Sequence, residues 1–471
     1  GRKLGPLVTA MSAEASDMSS WLLMGLPGVA LVYGLAEASW TAIGLGIGTW
    51  VNWFIVAKRI RTYTQKLDAV TIPEFFSKRF GDKKNHLSLI AGLVILVFFV
   101  PYTASGFNAC GTLFSSLFGV DYFTAMVISA VVIVAYTTLG GFLAASTTDL
   151  IQSIVMTIAL VVVVGFGINY AGGWDNVVVN ANSMPGFLEF FNTYDPTTNA
   201  STPYNALTVA STLAWGLGYF GMPHILLRFM AISDKNKLKT SRRIATVWVF
   251  ISMAIAILIG VIGSAAVKNG TIALDNANSQ RIIIEIAKLI SGNGAVFAII
   301  AGVILAGILA ATMSTSDSQL LAASSAVSQN IVKEFFGKKL SQKASMIVAR
   351  LTVVVIAIVG VIWAKDEGSV FEIVSFAWAG FGAAFGPVVL FALFWKRTNK
   401  WGALAGMVVG GGMLFVWKYV IAKLGGVFAI YELLPAFILA SIAIVVVSLL
   451  TKAPEKEIIE DFEAVKSGKI D

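Results

Sequence analysis

Apolar residues run along most of this chain in stretches of about twenty or more, the length a helix needs to cross a bilayer's hydrocarbon. Twelve such stretches are predicted to span, at 5–32, 35–57, 87–115, 122–143, 147–170, 207–230, 242–267, 294–330, 344–364, 369–396, 401–422 and 429–451. The run at 294–330 is long enough to tilt or to project beyond the bilayer. No period-two alternation points to a barrel. A backbone in lipid must satisfy its own hydrogen bonds, so the expected class is an all-α integral membrane protein.

Composition sharpens this. The chain is 57% hydrophobic and 13% charged, with mean hydropathy +0.81, against about 45–50% and 25% in soluble domains. A water-soluble globule would run out of polar surface, and a disordered chain needs low hydrophobicity. The net charge of +8 sits in short loops, which suits anionic lipid headgroups rather than nucleic acid. Cys110 is the single cysteine, and there are two histidines, so no internal disulfide and no zinc-type site is expected.

The basic residues also orient the spans. Lys58, Arg59, Arg61, Lys66, Lys78, Arg79, Lys83 and Lys84 follow the second run, and Lys235, Lys237, Lys239, Arg242 and Arg243 the sixth. Lys333, Lys338, Lys339 and Lys343 follow the eighth, and Lys396, Arg397 and Lys400 the tenth. If spans alternate, all four loops share one side with Arg2 and Lys3, while the stretch 171–206 has no Lys or Arg. The positive-inside rule then places both ends in the cytoplasm, with the spans in a plasma membrane. The chain starts a few residues before its first span without Met, so a further upstream segment is expected. The tail 452–471 reads as amphipathic and soluble, too short for a catalytic domain.

Three spans carry polar chemistry. The first holds Ser12, Glu14, Ser16, Asp17, Ser19 and Ser20 and then Gly25-Leu26-Pro27-Gly28; charge at that depth is costly and marks function. The sixth reads Trp215-Gly-Leu-Gly-Tyr-Phe-Gly-Met-Pro223, which discourages a continuous helix, and the eighth holds Thr312, Ser314, Thr315, Ser316, Asp317, Ser318 and Gln319. Interrupted helices five spans apart point to a transporter built from inverted repeats, with its site at the midplane. Breaking a helix frees carbonyl oxygens, the ligands a hard cation such as Na⁺ prefers, and Ser314 and Thr315 add hydroxyls. Freed N–H groups would draw a substrate carboxylate.

Blander readings compete. Membrane Ser and Thr usually bond back to their own helix, and Gly44/Gly48 spacing usually means close packing. Trp215 and Tyr219, one turn apart, fit a lipid-facing stripe as well as a pocket. Glu14 and Asp317 can lie nearer an aqueous vestibule, whereas Asp17 reads as functional. No phosphate-binding G-x-x-x-x-G-K-[ST] occurs, so an ion gradient rather than ATP must supply the energy of any uphill transport. No signalling or enzymatic domain is appended, and no loop suggests the carbonyl filter of a channel.

Ser12–Gly28, Trp215–His224 with Arg228-Phe-Met230, Met313-Ser-Thr315 and Trp378–Pro387 together resemble the sodium/solute symporter family, and within it the bacterial proline carriers. The likeness spans essentially the whole chain. It implies a leucine-transporter-like core of five plus five inverted helices, 1–170 and 207–396, separated by an extracellular loop at 171–206. Two accessory spans at 397–451, a cytoplasmic tail at 452–471 and a missing helix before residue 1 complete it. It further implies Na⁺ as the coupling ion, held by the carbonyls of Ala15, Met18 and Ala311 and the hydroxyls of Ser314 and Thr315. Asp17, Ser19, Ser20, Tyr102, Trp215, Tyr219, Pro223 and Ser318 fall where the family shapes its solute pocket or supports the ion, and Arg2 and Asp149 where it couples the two. Glu14, Ser20, Met222 and Asp317 depart from the proline carriers' pattern of Gly, Gly, Gln and a small polar residue. The function this implies is sodium-driven import of a small amino acid, proline first. A cationic amino acid such as ornithine or lysine is the alternative raised by the two extra acids, and a non-transporting nutrient sensor a rival from another class.

Overall fold

Residues 3–140 and 142–468 are described by the computed structural model, and among them eleven helices are long and apolar enough to cross a membrane. In chain order these are span 1 (Pro6–Tyr33), span 2 (Leu35–Lys66), span 3 (His86–Phe118), span 4 (Tyr122–Leu139) and span 5 (Phe142–Tyr170). Span 7 (Lys235–Lys268), span 8 (Ala295–Phe335), span 9 (Gln342–Trp363), span 10 (Val370–Phe394), span 11 (Lys400–Leu424) and span 12 (Leu433–Leu450) follow. The twelfth expected crossing, span 6, is too broken to count as one helix. It runs helical over Ala206–Leu213, tightens to a 3₁₀ stretch over Ala214–Gly221, and resumes as a helix over Pro223–Ala231.

Its glycines explain the break. A methyl group on Gly216 would lie 2.2 Å from the Gly44 carbonyl oxygen, one on Gly218 2.0 Å from Trp378 Nε1, and one on Gly221 2.2 Å from the Phe381 oxygen. Met222 then turns extended (φ −76°, ψ 107°), and Pro223, needing no N–H partner, starts the next helix. Span 1 breaks differently. A single residue, Ser19, leaves the helix (φ 46°, ψ −169°), followed by a π-helical turn at Trp21–Gly25 and a last helical piece over Leu26–Tyr33.

Two expectations need correction. The second helix was expected to stop at 57 but continues to Lys66, so Lys58, Arg59, Arg61 and Lys66 ride on its end rather than in a loop. Lys and Arg are good helix formers, and their stems cover apolar surface while the charges reach water. The stretch 171–206 contains a short helix, Trp174–Ser183, and an antiparallel hairpin pairing Asn192–Asp195 with Ala200–Pro203. Spans 1 and 10 sit at the centre, 94% and 89% of their apolar windows buried, whereas only 22% of those of spans 9 and 11 is. Exposed Val131, Ile151, Val355 and Val408 on outer spans suit lipid. A short inner helix (Ile72–Arg79) and the tail helix (Lys456–Lys466) lie at the end carrying the basic loops, called the basic end below.

Candidate functional site

The break at Ser19 leaves span 1 facing span 8 across its most polar turns. Ser314 Oγ donates to the Ala15 carbonyl at 2.9 Å and lies 3.1 Å from that of Ala311, and Thr315 Oγ1 is 3.5 Å from the same Ala15 oxygen. Four of the five expected ion ligands therefore converge, all buried. Each hydroxyl donates one proton and keeps oxygen lone pairs free for a cation. The fifth, Met18, sits at the break with its carbonyl accepting the Trp21 N–H. Ser19 Oγ also accepts from that N–H, at 3.1 Å, which fixes the turn. Ser20 is buried with its hydroxyl unpartnered. No cluster of three or more His, Cys, Asp or Glu suited to a metal occurs among the described residues.

The other face of the same turn is a carboxylate site. Tyr219 donates its hydroxyl to Asp17 Oδ2 at 2.6 Å, and Tyr102 donates to the Asp17 carbonyl at 3.1 Å. Tyr219 and Trp215 are buried, not a lipid-facing stripe, because the 3₁₀ stretch turns both inward. Span 2 sets their position. Asn52 Nδ2 donates to the Tyr219 carbonyl at 3.1 Å, and Gly48 and Gly44 bring its backbone against Gly216. Glu14, one turn from Asp17, is fully buried rather than in a vestibule, and its Oε1 accepts from Thr49 Oγ1 (3.0 Å) and Trp53 Nε1 (2.9 Å).

Above Asp17 lies an aromatic layer. Trp215 packs on Trp21, Phe371, Tyr431 and Trp378 at centroid distances of 5.2–6.4 Å, and Trp378 Nε1 donates to the Trp215 carbonyl at 2.7 Å. Beyond that layer, at the end opposite the basic loops, is a cavity of about 680 Å³ touching Phe371, Gln280, Glu37 and Glu372. A cavity of about 420 Å³ at the basic end runs from Val70–Pro73 and Asn330 up to Pro223, Arg228 and Ser318.

At its head a buried ion pair joins span 6 to span 5, and Ser12 of span 1 bonds to both its members. Arg228 reaches Asp149 Oδ2 at 3.2 Å, donates to Ser12 Oγ at 2.9 Å and to Ser318 Oγ at 2.7 Å, and holds the His224 carbonyl of its own helix at 3.1 Å. Ser12 in turn donates to Asp149 at 2.7 Å. Asp317 is buried beside Ser318 with Oδ2 unpartnered, and Met222 is buried at the span 6 turn. Pro223 and Ser318 thus stand around Arg228 rather than in the Asp17–Tyr219 cluster. Arg2 lies outside the described residues. Sequence reasoning passed over Arg228, Ser12, Thr49, Asn52 and Trp53 as site residues. Arg228 did carry a signal, being an arginine within a predicted span.

The sequence profile of the sodium:solute symporter family matches residues 1–410. The chain is 43% identical over 465 residues to the high-affinity proline transporter PutP of Bacillus subtilis (strain 168), covering 98% of this chain and 94% of that protein. It is likewise 43% identical to the sodium/proline symporter of Escherichia coli (strain K12), over 96% and 87% of the two. Among solved structures, a Na⁺-coupled sialic acid symporter in a substrate-bound outward-open state matches with TM-score 0.77 at 19% identity, over 97% of this chain and 92% of the other. MhsT in complex with L-phenylalanine matches with TM-score 0.61 at 14% identity, over 95% and 99%. These structural matches carry the leucine-transporter-like fold of five plus five inverted spans, and with spans 11 and 12 added the chain is a multi-pass membrane protein. By the profile and the near-full-length relatives alike, this chain belongs to the sodium:solute symporter family.

Proposed function

We propose that this chain is a sodium-coupled symporter that carries L-proline across the plasma membrane by alternating access. The observation that carries the reading is the meeting of Ser314 and Thr315 with the Ala15 carbonyl beside a helix broken at Ser19. Buried oxygens on facing segments, with lone pairs to spare, are what a dehydrated alkali cation requires. The names of the near-full-length relatives support sodium and proline as the cargo. In this reading Na⁺ is bound by the carbonyls of Ala15, Met18 and Ala311 and the hydroxyls of Ser314 and Thr315. Asp17 supports the ion from the next turn, and proline occupies the space shaped by Ser19, Ser20, Tyr102, Trp215 and Tyr219.

The repeats 1–170 and 207–396 form the working core, 397–451 the accessory pair and 452–471 the tail. The basic end and both chain ends face the cytoplasm. The aromatic layer around Trp215 then closes the outer path, while the cavity below Pro223 and Ser318 is the inner release route. Arg228 links the two broken spans at its head through Ser12, with Asp149 of span 5 bound to both, the place for coupling.

Uptake into proteoliposomes under an imposed sodium gradient tests this. Proline should accumulate with sodium and not with potassium. Thr315→Ala should raise the sodium concentration for half-maximal uptake about tenfold, the loss of one charge-assisted oxygen contact, while the order of competing amino acids stays the same. Sodium dependence unchanged in Thr315→Ala would remove the ion assignment. Because coupling is reciprocal, proline should tighten sodium binding by the factor by which sodium tightens proline binding.

A further inference from the structure

The tail helix is docked, and what it docks on is unusual. Phe462 is 3% exposed, and its ring lies between two guanidinium groups, with Arg79 Cζ 5.1 Å and Arg59 Cζ 5.4 Å from the ring centroid. Flanking it, Asp461 pairs with Lys66 at 3.1 Å and Glu463 with Lys396 at 3.0 Å. Four cations, from span 2, the inner helix and the link after span 10, are thus met by one turn of an acidic helix.

That cover is incomplete. Arg79 is 1% exposed and donates Nε to the Ala392 carbonyl at 2.8 Å, yet its Nη1 and Nη2 have no hydrogen-bond partner, nor has Arg59 Nε. Neither arginine enters an ion pair among the described residues. Aromatic faces surround Arg79, from Tyr63, Phe80 and Phe462. A ring face attracts a cation but does not take the in-plane hydrogen bonds of the guanidinium fork, and buried donors left unfilled are costly. The tail therefore neutralises this surface without satisfying it. Arg59 also lies 4.8 Å from the ring of Phe394, itself 43% exposed on the end of span 10, so the cluster borders an exposed apolar side chain at the end of a span.

We propose that Arg59, Arg79, Lys66 and Lys396 form a seat for the phosphate headgroup of an anionic phospholipid, and that the tail helix occupies it as a competing internal ligand. Asp461 and Glu463 stand in for the headgroup's charge and Phe462 for its contact with the two arginines; a phosphate fills the forked N–H groups that the ring cannot. The inner helix that carries Arg79 begins at the wall of the basic-end cavity, at Ile72 and Pro73. Release of the tail thus frees the base of a helix that borders the inner route.

The full chain in nanodiscs tests this without any transport assay, so its outcome is separate from that of the proposed function. In phosphatidylcholine alone the amides of residues 456–466 should be protected from hydrogen exchange, and adding phosphatidylglycerol should speed their exchange about tenfold, the effect of one to two basic contacts at a membrane surface. Native mass spectrometry should show Phe462→Ala retaining more phosphatidylglycerol than the wild type. Adding Arg59→Gln and Arg79→Gln to that variant should abolish the gain. If the arginine variants do not fold, the exchange measurement on the wild type still decides. Tail exchange indifferent to phosphatidylglycerol, or lipid retention unchanged by Phe462→Ala, overturns the proposal. So does release of the tail by inorganic phosphate in phosphatidylcholine as complete as that by the lipid, because the seat then takes free phosphate.

Discussion

Spans 1 and 6 are broken at corresponding places by opposite means. Span 6 uses an eight-residue 3₁₀ stretch lined by Gly216, Gly218 and Gly221 and closed by Pro223, each glycine pressed against a neighbour's backbone or ring. Span 1 uses one residue, Ser19, in a conformation natural only to glycine, with polar groups to hold it there. The first break is enforced by packing and the second by hydrogen bonding. A break enforced by packing is rigid, whereas one held by a few polar contacts can respond to what binds beside it. In the proposed function the ion is bound at span 1, while span 6 supplies Trp215 and Tyr219 to the solute space, a division of labour that follows from this difference.

The comparison can be broken from either side. Gly216→Ala places a methyl 2.2 Å from a main-chain oxygen that cannot move aside. It should abolish folded, membrane-inserted protein, judged by monodisperse elution in detergent. Arg228→Ala leaves Asp149 buried without its cation and should cost about 3–5 kcal/mol, read as a large fall in melting temperature. Arg228→Ala with Asp149→Ala together should recover most of it. If the double variant is no better than the single one, Arg228 and Asp149 do not neutralise each other in the way described. At span 1, Ser19→Gly removes strain of about 1–3 kcal/mol against the loss of one cap of about 1 kcal/mol. It should leave thermal stability equal or higher, and a marked fall would show that the turn is not strained. The smallest effect concerns the tail. The hydrogen bond from Lys396 holds the Glu463 carboxyl below its usual range. A depressed pKa contributes to docking fully above the free glutamate value of about 4.3 and loses that contribution as pH falls through the depressed value. Protection of the tail amides should therefore be flat above about pH 4.3 and decline below it, and Glu463→Gln should reduce the decline.

The same contrast explains what the sequence disclosed. Gly216, Gly218, Gly221 and Pro223 announced the break in span 6, because backbone-limited residues carry their geometry with them. The polar run of span 1 marked a functional turn, but serine has no preference that would single out Ser19 over Ser16 or Ser20. Ser314 and Thr315 were legible as candidates since adjacent hydroxyls on a helix facing a break have one obvious use. Thr49, Asn52 and Trp53 were not, because three polar groups in the apolar middle of span 2 look like ordinary packing until their partners Glu14 and Tyr219 are known. Docking of the tail was equally hidden, since an amphipathic helix does not say which basic surface it will choose.

Where span 2 meets the broken link of span 6, Gly44 and Gly48 face Gly216 with no side chain between the two main chains. Such a surface has no rotamers to freeze, so moving along it carries none of the side-chain entropy that ordinary helix contacts must surrender. The seam is dry as well as smooth: two rods lie backbone to backbone, too close to admit a lubricating water or an acyl tail.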